Sequence, residues 1–131
     1  MEQIKKFADA ITVYLRINKD YRQAGIRNPD RRALLKATRA EAFKLAQQAN
    51  GDLHQYLNSI AEPGFVHTAA KALMQAWDLR NKHFEALAGQ HGKIWHESPK
   101  EKIARLDAAE RDVVRHLKAI YTIINHPDQQ Q

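Results

Sequence analysis

The sequence contains no cysteine, so it can form neither a disulfide nor a thiolate metal site. Long apolar runs are also missing, and nothing approaches the roughly 20 residues that a membrane helix needs. The opening MEQIKKFADA has lysines but not the apolar stretch of a secretory leader. These absences point to a cytoplasmic protein with no membrane span. Glycine and proline are scarce, five and four in 131 residues, and they punctuate the chain between apolar-periodic segments. No stretch alternates apolar and polar residues as a half-buried strand would.

What is present is helical periodicity. Ile4, Phe7, Ala8, Ile11, Tyr14, Leu15 and Tyr21 recur at three- and four-residue steps, which predicts a first helix over Glu2 to Ala24, ended by Gly25. Asn28 as cap, Pro29 at the first helical position and Asp30 at the positive dipole end open a second helix. Leu34, Leu35, Thr38, Ala42, Leu45, Ala46 and Ala49 are its expected inner stripe, and Asn50-Gly51 its expected stop. A short third helix is expected after Asp52, with Leu53, Tyr56, Leu57 and Ile60 inward, broken by Glu62-Pro63-Gly64.

A fourth helix follows from about Phe65 to Ala88, with Val66, Ala69, Ala70, Leu73, Met74, Trp77, Phe84 and Leu87 on its apolar face. Ser98-Pro99-Lys100-Glu101 has the form of a capping box and starts a fifth helix that runs to about Asn125. There Ile103, Leu106, Val113, Leu117, Ile120 and Ile124 lie near heptad spacing, and Glu110 interrupts them. An unpaired buried carboxylate is costly, so Glu110 is expected at the edge of the stripe; the alternative is a pair with a basic residue inside. Residues 126–131 are expected to fray. The pattern describes an all-α protein, a single-domain antiparallel helical bundle over 1–131 with four long helices and one short one.

Charge supplies the functional lead. Residues 1–50 hold eleven Lys/Arg and five Asp/Glu, whereas residues 51–131 hold ten of each. The whole net charge of +6 therefore belongs to the first two helices. A field polarised in this way attracts polyanions and speeds their encounter. The candidate binding residues are Arg16, Lys19, Arg22, Arg27, Arg31, Arg32, Lys36 and Arg39. Among them Arg32, Lys36 and Arg39, at i, i+4 and i+7, are expected to line one outer face. The expected partner is the phosphate backbone of DNA or RNA, read without sequence motifs, or alternatively an acidic protein surface. In the irregular stretch 89–98, Ile94 and Trp95 are candidate anchors for such a partner, although Trp95 can equally fold back onto the helices.

Catalysis and metal chemistry find little support. There are seven histidines, but His83, His91 and His96 lack the carboxylate–histidine spacing of helical metal sites, so no metal or cofactor is expected. No phosphate-binding glycine loop is present. Asp78 and Glu85 stand two turns apart, too far for a tight dyad on one helix. Arg80 and His83 are closer than the Arg–His pair of helical ribonucleases, so nothing is carried over from that family. The chain is expected not to be an enzyme.

Overall fold

The side chain of Asn28 accepts a hydrogen bond from the backbone N–H of Arg31 at 3.1 Å, and its carbonyl accepts one from Arg32 N–H at 3.0 Å. This is the cap expected before Pro29, and it sets the start of the longest helix. A computed structural model of the chain describes residues 2–24, 28–88 and 99–126. They form four helices: α1 (Glu2–Ala24), α2 (Pro29–Asn58), α3 (Phe65–Ala88) and α4 (Pro99–Asn125). There is no strand among the described residues. The protein is all-α, and the limits of α1, α3 and α4 are those the sequence implies. The Ser98 cap and the tail from 127 onward lie outside the described residues.

The expected stop at Asn50-Gly51 does not occur. α2 runs through Gly51 to Asn58 without a break, so the short separate helix is absent. The apolar register explains why. Ala42, Ala46, Leu53 and Leu57 are buried at spacings of four, seven and four residues, one unbroken stripe. Glycine inside a helix costs roughly 1 kcal/mol relative to alanine. Burying Leu53 and Leu57 contributes about 1.5–3 kcal/mol each, so continuation wins. A Cβ at Gly51 would meet nothing within 4 Å. Gly51→Ala is therefore expected to stabilise the protein by about 0.5–1 kcal/mol, read as a rise of a few degrees in thermal midpoint. A fall would mean that the helix needs glycine there.

Ser59 ends α2: its N–H donates to Tyr56 O at 3.1 Å and its hydroxyl to the same oxygen at 2.6 Å. At the start of α3, the Gly64 N–H donates to His67 Nδ1 at 2.8 Å, while Gly64 O accepts from Thr68 N–H at 3.2 Å. His67 thus acts as a local cap on an otherwise unsatisfied donor.

The chain divides into two compact units, Met1–Pro63 and Gly64–Gln131. In the first, α1 and α2 form an antiparallel hairpin: Tyr14 meets Phe43 with ring centroids 5.6 Å apart, Asn18 meets Arg39, and Tyr21 meets Arg32. Ile4, Phe7, Ala8, Ile11 and Tyr14 are buried on α1. Alanines 42 and 46 on α2 let the two backbones approach closely. Leu34, Thr38 and Leu45, expected inside, are exposed, the two leucines at 67% and 52%. They lie one helical step outside the Ala42–Leu57 stripe, beyond what α1 covers. In the second unit, α3 buries Ala70, Leu73, Met74, Ala76 and Trp77, and packs on α4, which buries Leu106, Ala109, Val113, Leu117, Ile120 and Ile123. Ile103 is exposed, so the buried stripe of α4 begins one turn later than its apolar pattern.

Glu110 is not an edge residue. Its Oε1 lies 3.5 Å from Arg80 Nη2, and Arg80 is fully buried, with its Nη1 donating to Asn81 Oδ1 at 3.0 Å. The guanidinium sits 4.8 Å from the Phe84 ring centroid and 5.7 Å from that of Trp77. Arg80 arrives where an apolar residue of α3 would stand, and the carboxylate on α4 is the group that makes its burial tolerable.

Candidate nucleic-acid interface

The basic residues gather at the end of the first hairpin where α1 finishes and α2 begins. Arg16, Lys19 and Arg22 on α1 are exposed, as are Arg31 and Lys36 on α2. Asp52 and Glu62 of the same unit stand at or beyond the opposite end, so the charge is polarised along the hairpin. Arg27, Ile94 and Trp95 lie outside the described residues.

These cations do not pave one face. Arg16 is two positions from both buried Tyr14 and buried Asn18, which places it about 200° round the helix from them. It faces away from the seam with α2. Arg32 and Arg39, expected on an outer face with Lys36, instead turn onto α1 and are half-buried, and only Lys36 of the three is fully exposed. Positive charge therefore wraps the end of the hairpin.

Tyr21 causes the turn inward. The Arg32 guanidinium carbon lies 4.4 Å from the Tyr21 ring centroid and that of Arg39 lies 4.0 Å from it, both within cation–π range. Arg32 Nη2 also donates to the Tyr21 hydroxyl at 3.2 Å, and Arg39 Nη1 donates to Asn18 Oδ1 at 3.2 Å. Asn18 is 2% exposed, a polar side chain inside the apolar stripe of α1. Sequence reasoning passed over Asn18. The available signal was its place four residues after Tyr14 and seven after Ile11, where an aliphatic residue is the rule.

Clefts open at both ends of this hairpin among the described residues. One, of about 320 Å3, lies at the basic end and is lined by Asp20, Gln23, Ala24, Asn28 and Arg31. The other, of about 480 Å3, lies at the far end between Glu2, Gln3, Lys6, Ala49, Asp52, Gln55 and Tyr56, where acids outnumber the single lysine. Among the described residues no group of three His, Asp or Glu side chains is placed to hold a metal ion, and no helix is long and apolar enough to cross a membrane. No family model matches the chain, and no curated protein or solved structure matches it.

Proposed function

We propose that the chain is a non-catalytic, cytoplasmic accessory protein that binds the phosphate backbone of nucleic acid through the basic end of the α1–α2 hairpin. The observation that carries this reading is the exposed set Arg16, Lys19, Arg22, Arg31 and Lys36, gathered at one end of one hairpin. Long flexible cations at such an end suit phosphates, which impose little geometry on a lysine and a bidentate one on an arginine. Their wrapped arrangement suits contact with backbone rather than insertion of one helix into a groove. Recognition is therefore independent of base sequence.

A salt titration against single- and double-stranded DNA and RNA tests this reading. Log affinity should fall linearly with log salt, with a slope of about −0.9 per phosphate neutralised on duplex and about −0.7 on single strands. Charge reversal is best placed on residues that make no seam contact. Arg16→Glu, Lys19→Glu and Lys36→Glu together should lower affinity about a hundredfold or more at low salt, because six units of charge change at once. Helix content should stay the same. Unaltered affinity in the triple variant would remove the basic end from the binding surface.

An acidic protein partner is the second reading, and the exposed Leu34 and Leu45 on α2 favour it. Apolar anchors beside cations give both affinity and steering. Leu34→Ser with Leu45→Ser separates the two readings: nucleic-acid affinity should survive the change, and docking on an acidic protein should not.

A further inference from the structure

The geometry points to a preorganised phosphate subsite in the α1–α2 seam, formed by Arg32, Arg39 and Lys36 and held in place by Tyr21 and Asn18. This inference rests on the backbone-binding reading and assigns it a specific centre. Arg32 and Arg39 are two helical turns apart on α2, yet both guanidiniums converge on one tyrosine ring. Their central carbons are therefore separated by no more than the sum of 4.4 and 4.0 Å. Lys36 stands between them on the same helix and is exposed.

Among the described residues neither guanidinium pairs with a carboxylate: their partners are a ring, a hydroxyl and an amide oxygen. Two guanidiniums held this close repel one another, and their partial burial reduces screening by water. A structural role alone would be served better by a carboxylate at position 18. Asn18 instead fixes Arg39 without neutralising it, and Tyr21 fixes Arg32 without neutralising it. Each guanidinium has five donors, of which the contacts described occupy one apiece, leaving others for an incoming group. The ligand that meets this arrangement is a dianionic or diester phosphate group, taken by the remaining guanidinium donors with Lys36 as a third charge. Holding both arginines in place beforehand removes the ordering cost that flexible surface cations pay on binding.

The test uses the full chain and a labelled single-stranded oligonucleotide, with a duplex of equal length and a poly-glutamate peptide beside it. In Asn18→Asp the new carboxylate neutralises Arg39 in place. Affinity for the oligonucleotide should fall roughly five- to tenfold, and the salt slope should shrink by about 0.7, one phosphate. Thermal stability should hold or rise. Arg32→Gln with Arg39→Gln should shrink the slope by about 1.4 on single strands and about 1.8 on duplex. Tyr21→Leu keeps every charge, so affinity should fall about three- to tenfold with the slope unchanged. Should the double variant lose helix content, Asn18→Asp decides by itself. If wild type binds while Asn18→Asp retains its affinity and slope, the subsite is wrong and backbone binding stands on the exposed cations. If wild type binds neither oligonucleotide, or binds only the peptide, both readings fall.

Discussion

Val113→Asp is expected to unfold the α3–α4 unit. Val113 is fully buried on α4, in the stripe formed by Leu106, Ala109, Leu117 and Ile120. An aspartate there must either ionise in an apolar site or take up a proton to stay neutral, and both cost several kcal/mol when no partner waits. The residues named in that stripe are aliphatic, and the buried Arg80 beside Glu110, one turn before Val113, is already paired. A loss of that size is comparable to the whole stability of an ordinary domain, about 5–15 kcal/mol. Far-UV circular dichroism with a urea titration should show lost helix or a collapsed midpoint. The adjacent position gives the control. Val114 is 39% exposed, so Val114→Asp should move stability by no more than about 0.5 kcal/mol. Equal behaviour of the two variants would show the register of α4 to be wrong.

The second large effect concerns Arg80 and Glu110. Glu110→Ala removes the carboxylate 3.5 Å from a fully buried guanidinium. Breaking a buried pair from one side costs about 3–5 kcal/mol. Glu110 is 16% exposed, and water can partly replace it, so about 2–4 kcal/mol is the expected loss. Replacing both members, Arg80→Met with Glu110→Leu, should recover most of that and end within about 1 kcal/mol of wild type, because desolvating the ions is itself expensive. A double-mutant cycle by urea unfolding reads the coupling directly. If the double variant is as damaged as Glu110→Ala, Arg80 contributes through its contacts with Trp77, Phe84 and Asn81 and not through the pair.

Much of the helical framework was legible because its ends are written in local chemistry. Asn28-Pro29-Asp30 and Glu62-Pro63-Gly64 act on the backbone within a few residues, whatever the rest of the chain does, while Gly25 and Ser98 lie outside the described residues. Asn50-Gly51 carries the same kind of signal and misled, since the stop was only about 1 kcal/mol strong and burial of Leu53 and Leu57 outweighed it. Leu34 and Leu45 misled for a different reason. Apolar spacing shows that a residue could face inward, but coverage is decided by how wide a stripe the partner helix spans. The basic end was legible as charge, whereas its arrangement was not. Nothing local tells Arg32 and Arg39 from Lys36; the difference comes from Tyr21 and Asn18, which reach them across the hairpin. Glu110 similarly takes its meaning from Arg80, thirty residues away.

Both helix seams described above join neighbours in sequence, α1 with α2 and α3 with α4. Such short-range seams close in roughly microseconds to milliseconds, whereas a ribosome adds only about 5–20 residues per second. The first hairpin is thus complete, and its positive end formed, for seconds before the last helix has been made. By residue 50 the chain has gained all of the net positive charge of these 131 residues, because residues 51–131 are neutral on balance.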